Sequence, residues 1–161
     1  MVVARRSDGE ASDRTHGGFL PAAMAALVLL TGCDDAPEVA LGAAVTHDNG
    51  LAVRPPQGWD VATGPDGFTL QGPGDLRAPR RLALRLAEAA PLAGGPVERD
   101  GRGAEYTIAA LGAGSGGTLY RLTAWRPLGG RMLVMTAEQQ SEDGEPAFPV
   151  AWASFASATV D

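Results

Sequence analysis

Between Arg81 and Ala87 the chain reads Arg-Leu-Ala-Leu-Arg-Leu-Ala, with a leucine at every second position. That period of two defines a strand, with Leu82, Leu84 and Leu86 on one sheet face and Arg85 on the other. A strand with one apolar face needs neighbours beside it and a layer over it. The sequence offers both. Gly50 to Arg54, Trp59 to Thr63 and Phe68 to Gln71 read as short strands, stopped by Pro55-Pro56, by Gly64-Pro65-Asp66-Gly67 and by Gly72-Pro73-Gly74. Ala104 to Leu111, Thr118 to Arg126 and Arg131 to Gln140 follow, separated by glycine clusters short enough to make antiparallel hairpins. The period then changes. Phe148, Trp152 and Phe155 fall at i, i+4 and i+7, with Ala151 and Ala158 nearby, a helical stripe with Pro146 or Pro149 in its first turn. The expected fold class is α+β: an antiparallel sheet of about six to seven strands covered by a C-terminal helix. Its aromatic stripe is read as core rather than as a ligand cage.

The N-terminal part obeys another logic. Gly17 to Leu30 is apolar and follows Arg14, the pattern of a secretory signal. It is shorter than the roughly 20 residues that span a bilayer. It closes on Leu30-Thr31-Gly32-Cys33, which holds the sole cysteine of the chain. This tetrapeptide resembles a bacterial lipobox. The resemblance implies that 1–33 is a lipoprotein signal segment and that the Cys33 thiol takes the lipid. Small residues at Thr31 and Gly32 suit a peptidase that grips extended backbone. Residues 34–46, small and without period, read as a flexible tether, and 47–161 as the domain. The expected location is a membrane lipid anchor on the periplasmic or extracytoplasmic face. Asp34, just after the cysteine, is similar to an inner-membrane retention signal.

Charge narrows the function. The net charge is −6, and every basic residue other than histidine is an arginine. Phosphate neutralisation needs a basic face, so nucleic acid is excluded as the expected partner. The acidity suits a basic protein partner through complementary potentials and equally suits plain solubility, so by itself it does not choose between them. With Cys33 the sole cysteine, neither disulfides nor thiolate metal sites are expected.

Candidate sites of chemistry are weaker than their surroundings. Gly112-Ala113-Gly114-Ser115-Gly116-Gly117 matches a dinucleotide fingerprint, but a strand follows where the pyrophosphate needs a helix N-terminus. Ser115 imitates a nucleophile elbow with the same defect, and the histidine available to it, His47, reads as part of a solvated turn. No catalytic residue and no cofactor are expected. Glu142-Asp143-Gly144-Glu145 offers oxygen atoms but lacks EF-hand spacing, so no metal is assigned. It reads better as a protruding contact loop, with Glu142, Asp143 and Glu145 facing a basic partner. Arg77, Arg80 and Arg81 form a small basic cluster suited to lipid headgroups or to guarding an edge.

Gly50-Leu51-Ala52-Val53-Arg54-Pro55-Pro56-Gln57-Gly58-Trp59 resembles the opening of the PsbP-like fold. The closing helix with Ser154-Phe155 resembles its end, so the likeness covers roughly 47–159. Within that fold, the lipobox, the start His47-Asp48-Asn49-Gly50-Leu51, the Asp66-Gly67-Phe68 turn and Ser115-Gly116-Gly117 are similar to type VI secretion immunity lipoproteins. The resemblance implies a non-catalytic binding protein that occludes the active site of a cell-wall-degrading toxin, a secreted peptidoglycan hydrolase. Its contacts would come from loops 72–80, 91–103 and 141–147. The alternative implied by the fold is an accessory or assembly factor of an envelope complex.

Overall fold

The computed structural model describes residues 38–73, 80–114 and 116–161, all within one compact unit, Asp35–Asp161. The expected signal segment with Cys33, and Asp34, Arg77 and Ser115, lie outside the described residues.

The alternating leucines form β5 (Arg81–Ala87), the third strand of a seven-stranded antiparallel sheet. With β3 (Asp60–Thr63), β4 (Gly67–Gln71), β6 (Glu98–Arg99), β7 (Glu105–Gly114), β8 (Gly117–Leu128) and β9 (Arg131–Ser141), the order is β3-β4-β5-β9-β8-β7-β6. Register carries the leucine face across the sheet. Leu82 and Leu84 stand opposite Leu70 and Phe68 on one side and Ala137 and Met135 on the other. Ala137 and Met135 in turn face Leu122 and Ala124, which face Ile108 and Tyr106. The β8–β9 connection is Gly129-Gly130, both at positive φ (58° and 78°), the conformation a two-residue hairpin requires.

The cover has two parts. One is α1 (Pro149–Ala156), which puts Ala151 and Phe155 into the core. The other is a small sheet, β1 (Val45–Thr46), β2 (Leu51–Val53) and β10 (Thr159–Val160), whose Leu51 and Val53 are fully buried. The first expected strand therefore belongs to the cover, not to the main sheet. Three two-residue strands, β1, β6 and β10, had no sequence signal, because alternation cannot show in two residues. Burial of each large apolar side chain contributes roughly 2 kcal/mol and holds the layers together.

Two expectations are corrected. Phe148 is buried but lies outside the helix, in left-handed conformation (φ 52°) just before Pro149, which takes the first helical position. The i, i+4, i+7 stripe is thus a helix of two turns preceded by a folded-in aromatic. The expected tether 34–46 joins the domain from Ala40 onward. Gly42 and Ala40 form backbone hydrogen bonds with Pro55 and Gln57 (2.7 and 2.9 Å), and Val45 and Thr46 pair with β2. Small residues here allow close backbone approach as readily as flexibility.

Candidate partner-binding surface

One end of the molecule gathers carboxylates around aromatic rings. It starts from a turn that the sequence encodes locally. Asp100 Oδ1 accepts hydrogen bonds from the backbone N–H groups of Arg102 (2.9 Å) and Ala104 (2.7 Å), and Gly103 supplies a positive φ of 87°. That turn joins β6 to β7 and sets Glu98 opposite Tyr106. The Tyr106 hydroxyl donates to Glu98 Oε2 at 2.7 Å. This bond, with burial and the charges of Glu98, Glu145 and Asp100, holds the phenol above its ordinary pKa. Three carboxylates from two segments, β6 with its turn and the β9–α1 connection, therefore act on one tyrosine ring.

Behind Tyr106 the rings continue. Tyr106 and Trp152 meet edge to face at 5.4 Å, and Trp152 and Phe155 at 5.9 Å. Arg126 lies over Phe155, 5.4 Å from the ring centre, and donates to the carbonyls of Phe155 (3.3 Å) and Ala158 (3.0 Å). It thereby caps the helix C-terminus, where a cation complements the dipole. Burial pulls its pKa below the usual guanidinium value, and the charge of Asp100 opposes that shift. Between turn and helix lies a groove of about 770 Å³, bounded by Asp100, Arg102, Arg126, Trp152 and Phe155. Trp152 is half-buried, one side in the core and one on the groove.

Glu142, Asp143 and Glu145 are exposed in the connection between β9 and α1, which turns at Gly144 (φ 102°). Among the described residues no salt bridge involves them; the two pairs formed are Arg99–Glu105 (2.8 Å) and Arg121–Glu138 (2.6 Å). Glu145 is the member of this loop whose charge reaches Tyr106. Glu98, Asp100, Tyr106 and Arg126 escaped the sequence reading. Asp100-Gly101, a hairpin signal between Glu98-Arg99 and Glu105-Tyr106, pointed to the turn.

The other candidates sit apart. His47 is buried rather than solvated: Nε2 donates to Gly64 O at 2.8 Å, and Nδ1 accepts from Asn49 N at 3.1 Å. With both nitrogens committed, it pins the turn before β2 to the β3–β4 turn, at the sheet edge opposite β7. The glycine-rich segment is a hairpin end, with β7 running to Gly114 and β8 starting at Gly117. No group of three or more His, Cys, Asp or Glu among the described residues is placed to hold a metal ion. Loop 72–80 lies largely outside the described residues.

Comparison with known proteins adds two findings. The family described as Type six secretion immunity 3 domain matches residues 52–159. The chain is also similar to the Immune protein Tsi3 of Pseudomonas aeruginosa, 40% identical over 131 residues, which cover 81% of this chain and 90% of the relative.

Proposed function

The chain belongs to the type six secretion immunity 3 family, and from that premise we propose that it neutralises a cell-wall-degrading toxin by occluding its active site. The observation that carries this reading is the acidic end just described. Like charges from Glu98, Asp100 and Glu145 converge on Tyr106 beside the Trp152 groove. The charge of Arg126 partly answers Asp100, Glu145 forms no salt bridge among the described residues, and a basic active-site rim would answer the charge left over. Tyr106 and Trp152 are the residue types that anchor interfaces, apolar in body and polar at the tip. The action is stoichiometric binding without turnover.

Under this reading the protein stands at the membrane, facing the periplasm, through a lipid on Cys33. The support is Leu30-Thr31-Gly32-Cys33 after an apolar signal segment. Cys33→Ala abolishes incorporation of labelled palmitate; retained label would remove the anchor. The fold is read as PsbP-like on the Pro55-to-Trp59 turn and on Ser154-Phe155 in the last helix.

The test is capture and inhibition. The purified protein recovers a peptidoglycan hydrolase from cells carrying the secretion system, and titration abolishes cell-wall cleavage at one equivalent. A captured hydrolase that remains fully active when saturated would end the occlusion mechanism.

A further inference from the structure

From Ala89 to Val97 the chain reads Ala-Ala-Pro-Leu-Ala-Gly-Gly-Pro-Val, without one polar side chain. This segment is the connection that leaves β5, the third strand of the sheet, and reaches the edge strand β6 at Glu98. Leu92 in it is fully exposed and Val97 is 47% exposed, two of the four large apolar side chains that the described residues leave in solvent. No atom lies within 4 Å of where a Cβ would sit on Gly94 or Gly95, so the domain does not fold back over their turn. Leu92 and Val97 each follow a proline, whose fixed φ lowers the cost of ordering that stretch of backbone on binding. A single exposed leucine is ordinary, but a contiguous apolar run around one marks a contact surface.

We infer that Leu92 is the apolar anchor of the toxin interface and enters a hydrophobic recess with basic surroundings, an inference that rests on the occlusion reading above. Charge is the first observation that chooses this occupant. Of the six charged residues from Glu88 to Glu105 four are acidic, and Arg99 is already paired with Glu105. An apolar tip framed by carboxylates fits a basic protein surface, whereas anionic headgroups and a second copy of this acidic chain are both repelled. Position is the second. The chain enters the domain where Gln57 N donates to Ala40 O (2.9 Å), just before β3 begins at Asp60. Asp60 faces Gln71, and Gln71 faces Arg81, the first residue of β5. The loop departs from Ala87, six residues further along that strand, or about 20 Å. A lipid on Cys33 precedes the entry at Ala40, so the loop stands at the far end of these strands from the anchor. The third observation is continuity. Val97 runs directly into Glu98, whose carboxylate accepts the Tyr106 hydroxyl at 2.7 Å, so the apolar tip and the acidic end form one surface. Interfaces of this kind divide the work: charges set the association rate, and a desolvated apolar anchor sets dissociation.

The experiment measures association and dissociation rates of the full chain against the hydrolase that the wild type captures. Leu92→Ser should raise the dissociation rate about thirtyfold, the worth of one buried leucine side chain. The association rate and its salt dependence should not move. Leu92→Met, which keeps an apolar side chain of similar volume, should restore most of the affinity. Because Leu92 is fully exposed, neither variant should alter the circular dichroism. A polarity-sensitive dye on Leu92→Cys in a Cys33→Ser chain should shift to the blue on adding hydrolase. It should not shift on adding phosphatidylglycerol vesicles or on concentrating the chain alone. A dissociation rate indifferent to Leu92→Ser overturns the inference, and full inhibition at one equivalent would still leave the occlusion reading standing. A blue shift with vesicles or on concentration, in place of one with hydrolase, assigns the loop to a bilayer or to a second copy and overturns it as well. If the wild type captures no hydrolase, the occlusion reading falls and the anchor with it.

Discussion

The two edges of the main sheet treat polar side chains in opposite ways. At the β3–β4 edge polarity is spent internally. His47 bridges Gly64 and Asn49, while Asn49 donates to Asp66 O (2.9 Å) and accepts from Leu51 N (3.1 Å). Two of those bonds tie turn to turn and two close the 47–51 turn itself. At the β6–β7 edge polarity is accumulated instead, with Glu98, Asp100 and Glu145 acting together on Tyr106. The first arrangement stabilises the fold. The second raises its energy slightly and concentrates potential where an opposite charge can collect it. Hydrogen bonds end internally at both edges; what differs is the carboxylate charge collected at the second.

The comparison breaks most visibly at His47. His47→Ala removes two hydrogen bonds and an edge-to-face contact with Phe68 at 5.5 Å. It should cost roughly 2–3 kcal/mol in denaturant unfolding, since it leaves the Gly64 carbonyl unanswered and a small void. His47→Phe, which keeps the ring packing, should cost less. Toxin affinity should stay at the wild-type value. A large affinity loss in a folded His47→Ala protein would erase the distinction between the edges.

Why one edge was legible in the sequence and the other was not follows from range. Strand β5 announces itself because alternation over seven residues is a local signal, β8 and β9 are marked by β-favouring residues between glycine clusters, and Gly129-Gly130 names its own turn. His47 carries no such mark: a histidine flanked by Thr46, Asp48 and Asn49 looks solvated, and its burial depends on Gly64, seventeen positions away. The acidic loop was readable as a charge run. That Glu145 shares a surface with Glu98 and Asp100 was not, because the register of β6 on β7 and the docking of α1 bring them together. Trp152 fell between, its helical spacing visible and its half-exposure on the groove set by tertiary packing.

The acidic edge answers to a kinetic test. Replacing Glu142, Asp143 and Glu145 together with their amides should slow toxin association about tenfold at low salt and flatten its salt dependence. Stability should hold or rise slightly, because exposed like charges repel. Unchanged association at two salt concentrations would remove this loop from the interface and leave the Asp100 turn as the remaining acidic contact.

A smaller effect separates the two faces of the same edge. Glu105, on the opposite sheet face from Tyr106, has its pKa lowered by its hydrogen bond from Arg99 and then by that from Trp125 Nε1, against a small opposing burial effect. A depressed carboxyl contributes stability above the unfolded value near 4.3, and that contribution is lost as pH falls through the folded value. Arg99→Gln should therefore reduce the drop in stability between about pH 5 and pH 3, as followed by urea unfolding. An unaltered acid limb would mean that the exposed pair is not held in solution.

Tyr106 provides the finest probe, because it reports the gathered charges without any partner. Its pKa is raised first by the hydrogen bond to Glu98 and then by burial, with the charges of Glu98, Glu145 and Asp100 adding to both. In the folded protein the neutral phenol is favoured, so the associated stability is present below the unfolded pKa and disappears as pH rises through the folded one. Ultraviolet titration of the phenolate in a Tyr120→Phe chain should show Tyr106 ionising above the ordinary tyrosine value. Glu98→Gln should bring that late midpoint down most, since it removes both a charged acceptor and a charge. Glu145→Gln should bring it down less, because it acts through space alone, and its effect should shrink as salt is added. If Glu145→Gln leaves the midpoint unmoved at low salt, the loop between β9 and α1 does not stand over Tyr106. The acidic surface would then be two separate patches, and the contrast between the edges would rest on the Asp100 turn alone.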